Sequence, residues 1–220
     1  MNKGKTRKQG SRLNILQQED FTEIQEGHLG GCALEGDGAT YYPDMWDFMI
    51  DSLCIESMID LGCGAGMAAD YFKSCGVSVL GIEGTRGAID NGLLSEEDGE
   101  VVQHDYEVEP YLLTDKKDFA WTCEFVEHVS DAGSHNFMRT LQSCRIVAMT
   151  FAPPGQGGYN HVNEQPAEYW IQRFQQYGFK LMNDYTFLCR KIAESDWKNH
   201  TPFYMSHFIK SGLVFENKNF

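Results

Sequence analysis

Apolar residues fall along this chain in two alternating patterns. Short apolar runs of strand length stand at 55–61, 77–82, 118–123 and 145–151, with briefer ones at 101–103, 179–182 and 212–215. Between them apolar positions recur at helical spacing. Trp46, Met49, Ile50 and Leu53 share a face of a helix over 44 to about 54, opened by Pro43. A helix from about Ala65 to 74 ends before Gly76, a C-cap candidate. Residues 85–91 form a short helix. Phe137, Met138, Leu141 and Cys144 follow a cap at Ser130 or Asp131. Trp170, Ile171 and Phe174 mark a helix over 166–177 that Gly178 stops, and 184–197 reads as either helix or loop. The run at 77–82 is nearly all apolar, as in a strand covered on both faces. Strands alternating with helices predict an α/β fold with a mostly parallel seven-stranded sheet and helices on both faces.

Three glycine-rich breaks interrupt this pattern, and the last of them, at the end of a buried strand, stands where open α/β sheets place their sites. In residues 58–66, Met-Ile-Asp-Leu-Gly-Cys-Gly-Ala-Gly, a buried strand runs into Gly62, Gly64 and Gly66, and a helix follows. Such a turn brings bare backbone and a helix N-terminus up to a nucleotide-like ligand. Residues 27–42 are glycine-rich and read as a connector or as a cover over a site. Residues 152–163 form a glycine- and proline-rich loop after an apolar run.

Composition narrows the setting. The 220 residues carry a formal charge of −14, and Lys3, Lys5, Arg7, Lys8 and Arg12 stand in an opening stretch without acids. Without those five positives the remainder carries −19, a poor surface for a phosphate backbone, so nucleic acid is disfavoured as a partner. Residues 1–20 read as a flexible basic arm and 21–220 as one domain. The seven cysteines show no Cys-x-x-Cys spacing and read as reduced thiols. With no membrane-length apolar run and no signal peptide read at the start, the expectation is a cytoplasmic protein away from membranes.

The turn Asp60-Leu61-Gly62-Cys63-Gly64-Ala65-Gly66 resembles that of class I S-adenosylmethionine-dependent methyltransferases, and differs from the Gly-x-Gly-x-x-Gly dinucleotide fingerprint. Further pieces follow in that family's order over residues 43–182: Glu83 closing the second strand, Asp105 after the third, and Cys123-Glu124-Phe125-Val126-Glu127-His128-Val129 after the fourth. The resemblance implies a Rossmann-like class I methyltransferase fold and S-adenosyl-L-methionine as cofactor. It places Asp60, Gly62, Cys63, Gly64, Gly66, Glu83, Gly84, Asp105, Tyr106 and Glu124 around that cofactor. It puts Glu83 on the ribose hydroxyls and Asp105 on the adenine amine. Read from the residues alone, Asp105 also suits a turn cap, and Tyr106 suits either adenine stacking or an exposed turn.

Glu124-x-x-Glu127-His128 with a distal His161 is similar to the metal-binding set of small-RNA 3′-terminal 2′-O-methyltransferases, and a Glu-x-x-Glu-His also occurs in ubiquinone-biosynthesis O-methyltransferases. That likeness implies a divalent cation, Mg or Mn, on Glu124, Glu127, His128 and His161. Metal-free readings stand beside it: His161 as general base with His128 as a second catalytic group, or both as packing and loop histidines. Tyr159, Asn160 and Asn163 share the His161 loop, where acceptor contact is expected. No Asn/Asp-Pro-Pro-aromatic sequence, the signature of amino-methylating nucleic-acid enzymes, follows the fourth strand. The expected function is methyl transfer to a small-molecule or sugar (glycan) acceptor, on oxygen. The alternatives are an RNA-end 2′-O-methyltransferase with that metal, or a non-catalytic cofactor-binding partner subunit.

Overall fold

The computed structural model describes residues 23–25, 27–33, 38–200 and 207–220. The expected basic arm, residues 1–20, lies outside them. A small antiparallel hairpin, β1 (Glu23–Gln25) and β2 (Gly31–Ala33), precedes α1 (Pro43–Leu53). The main body then runs β3 (Ser57–Leu61), α2 (Met67–Ser74), β4 (Ser78–Glu83), α3 (Arg86–Asn91), β5 (Val101–Gln103) and β6 (Lys117–Thr122). It continues with α4 (Ser134–Leu141), β7 (Cys144–Met149), α5 (Ala167–Gln176), β8 (Phe179–Leu181), α6 (Asn183–His200), α7 (His207–Ser211) and β9 (Leu213–Asn217).

The seven strands β3 to β9 form one sheet in the order β5-β4-β3-β6-β7-β9-β8. β3 to β7 pair in parallel, and β9 runs antiparallel to both β7 and β8. The strand order reverses between β3 and β6, which opens a crevice at the carboxyl ends of those strands. Successive side chains of a strand point to opposite faces, and two cores result. Met58, Phe119, Trp121, Ile146 and Val214 pack with α1, α2, α6 and α7. Their neighbours Ile59, Leu61, Ala120, Val147 and Phe215 pack with α4 and α5. Helices on both faces and a mostly parallel seven-stranded sheet match the expectation.

Several boundaries differ from the sequence reading. Helix α2 begins at Met67, not Ala65, because Gly66 at its N-cap holds φ +81°. Helix α4 starts at Ser134, since 130–133 form a turn in which Ser130 Oγ accepts the Gly133 N–H at 3.0 Å. The stretch 184–197 is helical and belongs to α6. Its Asp196 is buried and accepts the N–H groups of Asp44 at 2.8 Å and Met45 at 2.9 Å, capping α1 from across the fold. Cys54, Cys63, Cys75, Cys123, Cys144 and Cys189 form no disulfide. Among the described residues no helix is long and apolar enough to cross a membrane.

Candidate active site

The cleft lies where the turns after β3, β4, β5 and β6 converge. Gly62, Gly64, Glu83, Gly84, Asp105, Tyr106, Glu124, Phe125 and His128 line it, with residues 28–31 on its outer side. It is open to solvent, and its cavity volume is about 90 Å³. Gly62, Gly64 and Gly66 hold φ of +65°, +52° and +81°, a region that L side chains rarely adopt. The Gly62 N–H is fixed on Ile82 O at 2.8 Å, so the turn after β3 is tied to β4.

Glu83 makes that tie directional. Its Oε2 accepts the Gly64 N–H and its Oε1 the Thr85 N–H, both at 2.8 Å. Asp60 is buried and its Oδ2 takes the Ala69 N–H at 3.2 Å. Burial pushes its carboxyl up to about 8, opposed by the Ala69 hydrogen bond and reinforced by the Glu83 charge. Asp105 does serve as a turn cap, its Oδ1 accepting the Glu107 N–H at 2.9 Å, while Oδ2 lies 2.7 Å from His28 Nε2. Tyr106 is not an exposed turn residue. It is 4% exposed, with its ring edge-on to Phe125 and Phe137. Cys63 lies on the turn half-buried, its thiol beside Gly81.

Beyond Glu124 the chain forms a short helical turn, Val126–His128. Glu127 is fully buried, and no N–H or hydroxyl donor meets either of its carboxylate oxygens, which have only the neighbouring Glu124 carboxylate beside them; His128 Nδ1 likewise has no hydrogen-bond partner among the described residues. Glu127, His128 and His161 bring one ligand atom each within 4.8 Å of one another, and the two imidazoles meet edge to face at 4.9 Å between centroids. Burial and then the Glu124 charge hold Glu127 well above the usual carboxylate range, while burial and His161 push His128 down. A cluster of desolvated donors with orphaned polar atoms fits a divalent cation.

Glu124 lies beside this group, against Glu127, and is not one of the three residues whose ligand atoms meet within 4.8 Å. Its Oε1 accepts from Thr150 Oγ1 at 2.9 Å and its Oε2 pairs with His207 Nδ1 at 2.9 Å. Burial works against its charge, but His207 outweighs that and holds the carboxyl below its usual range. The loop 152–163 docks on this segment, since Val162 N–H and Asn163 N–H both donate to Glu127 O. His161 Nδ1 lies 3.1 Å from Glu164 Oε1. Asn163, expected among the acceptor contacts, is 2% exposed and clamps Val129 O through its amide at 3.0 Å. Tyr159 and Asn160 instead reach the glycine-rich stretch, at Gly27 O and His28 O. Residues 28–31 of that stretch are among those that line the cleft. The sequence reading missed His28, Leu29, Glu164 and His207. Only Glu164, three residues beyond His161, left a signal in its spacing.

Solved structures share this architecture. A TehB-like SAM-dependent methyltransferase from Corynebacterium glutamicum aligns with a TM-score of 0.53 at 16% identity, over 80% of this chain and 88% of its own. A structure described as a sarcosine dimethylglycine methyltransferase from Galdieria sulphuraria aligns at 0.51 and 15%, over 79% and 84%. The methyltransferase domain of bacterial CtHen1-C aligns at 0.51 and 15%, over 80% and 96%. At such identities the likeness establishes the fold, which is the Rossmann-like fold of class I methyltransferases. No family model and no curated protein sequence matches the chain.

Proposed function

We propose that this protein is an S-adenosylmethionine-dependent methyltransferase acting on an oxygen of a small-molecule or sugar acceptor. The observation that carries the reading is the Glu83 carboxylate, fixed by the Gly64 and Thr85 N–H groups at the mouth of a glycine turn. An acid held there can accept both hydroxyls of a ribose diol, through charge-assisted hydrogen bonds. Gly62 and Gly64 leave the backbone bare for the methionine half, and Asp105 stands one strand further out for the adenine amine.

Methyl transfer from a sulfonium is a direct displacement, so the protein chiefly aligns the acceptor oxygen with the methyl carbon and excludes water. His161, oriented by Glu164 through Nδ1, keeps Nε2 for one of two roles: taking the hydroxyl proton where no metal is bound, or ligating a metal. A divalent cation, Mg or Mn, would be held by Glu127, His128 and His161. Its charge would make the acceptor hydroxyl more acidic. Glu124, held by Thr150 and His207 and lying against Glu127, is the fourth candidate for that ligand set and also lines the cofactor cleft.

The Glu127–His128–His161 grouping also favours a second reading, a 2′-O-methyltransferase of RNA ends. The −14 charge of the chain weighs against it. A cofactor-binding subunit without turnover is the third reading. Incubating the protein with methyl-labelled cofactor, Mn²⁺ and panels of hydroxylated metabolites, glycans and short RNAs separates the three. Label on a small hydroxyl compound is the expected result. Label on RNA alone favours the second reading, and bound cofactor without any transfer favours the third.

A further inference from the structure

We infer that the turn at residues 27–31 is a wall of the cofactor cleft, and that His28 and Leu29 contact the nucleoside half of the bound cofactor. This rests on the methyltransferase reading. Residues 28–31 line the same cleft as Gly62, Gly64, Glu83 and Asp105, yet they come from a hairpin outside the main sheet.

Each contact of the turn falls on a position that faces the nucleoside or the chemistry beside it. Leu29 seats on Gly84, where a Cβ would come within 2.8 Å of Leu29 Cδ2; only a glycine next to Glu83 admits the leucine so close. That puts an apolar side chain beside the acid that faces the ribose, on a lining that also carries Tyr106, Phe125 and Val129. His28 Nε2 lies 2.7 Å from Asp105 Oδ2, and the Glu107 N–H occupies Oδ1. The carboxylate is thereby aimed by two partners and keeps lone pairs for an exocyclic amine. The His28 side chain is 62% exposed, so its bond to Asp105 is weak in open water and strengthens when a ligand covers it.

The turn is fastened on its far side to the acceptor loop. Tyr159 Oη donates to Gly27 O at 3.2 Å, and Asn160 Nδ2 donates to His28 O. Gly30 lies against the His128 ring, where a Cβ would stand 2.8 Å from Cγ. One short segment thus spans from the adenine acid to the histidine of the acceptor side. A planar, amphipathic nucleoside is the ligand that an apolar leucine and an aimed carboxylate fit together.

Titration calorimetry of the full chain with S-adenosylhomocysteine and with adenosine tests the inference. Leu29→Ala is expected to weaken both ligands by the same factor, about fivefold or more. His28→Ala is expected to weaken both about threefold. Phe187→Ala, at a side chain 65% exposed on α6 and not among the residues lining the cleft, serves as the unaffected control. Melting curves check that each variant is folded. Wild-type affinity in folded Leu29→Ala and His28→Ala, or tighter binding, overturns the inference while leaving the methyltransferase reading intact. Failure of the wild type itself to bind S-adenosylhomocysteine overturns the reading beneath it.

Discussion

His161 Nδ1 lies 3.1 Å from Glu164 Oε1, and the Glu164 carboxylate is itself anchored by the N–H groups of Gly155 at 2.7 Å and Gly157 at 2.6 Å. Those backbone bonds, the Gly155 one foremost, keep Glu164 below the usual carboxylate range and so charged. The ring of His161 is consequently fixed in orientation and tautomer, as a base or ligand requires. Glu164→Gln is expected to lower turnover about tenfold or more with cofactor affinity unchanged. Steady-state kinetics beside cofactor titration checks it, and an equal loss in both would place Glu164 in the fold rather than the chemistry.

The orphaned oxygens of Glu127 and Nδ1 of His128 predict cation binding. Mn²⁺ titrated into the wild type should give one site, and His128→Ala and Glu127→Gln should each abolish its heat. A buried carboxyl kept protonated by desolvation gives its proton up when a cation arrives, so the measured heat should vary with buffer ionisation enthalpy. Absence of any metal-dependent heat in the wild type would leave His161 as a metal-free base.

Asp60 carries a stability prediction with a definite sign. Burial raises its carboxyl from the ordinary 3.8 to about 8, so the folded state holds a proton that the unfolded chain releases. Its contribution is fully present below the unfolded value and is lost as pH rises through the folded one. The melting temperature should therefore fall between about pH 5 and 8, and Asp60→Asn should flatten that part of the profile. Parallel profiles for the two proteins would contradict it.

Asp196 caps α1 through two backbone bonds from a fully buried carboxylate. Asp196→Ala leaves the Asp44 and Met45 N–H groups without it and should cost about 1–2 kcal/mol in chemical denaturation. Gly62→Ala is expected to cost about 1–3 kcal/mol. Its φ is +65°, and the new Cβ would lie 2.9 Å from Phe125 Cβ.

The strands were legible because their side chains alternate between two cores. Ile59 and Met58 face opposite layers of helices, and each layer demands apolar residues. The glycine turn was legible because its conformation admits few other residues. Helix α6 was not, because Phe187 is 65% exposed and Leu188 43%, while the face turned inward carries Cys189, Ala193 and Asp196. Size and hydrophobicity there point away from the buried face. The site partners His28, Leu29 and His207 lie 77, 55 and 83 residues from the groups they meet at Asp105, Gly84 and Glu124, so no local spacing links them. Asn163 and Tyr106 carry polar groups that sequence places at a surface. The loops cross over them and bury both.

The central claim is that the glycine turn and Glu83 hold S-adenosylmethionine. Titration of S-adenosylhomocysteine into the wild type and into Glu83→Gln tests it most directly. One-to-one binding by the wild type, weakened about tenfold or more in a folded Glu83→Gln, is the predicted result, since charge-assisted hydrogen bonds to the ribose are lost. No binding by the wild type, or equal binding by both proteins, would contradict it.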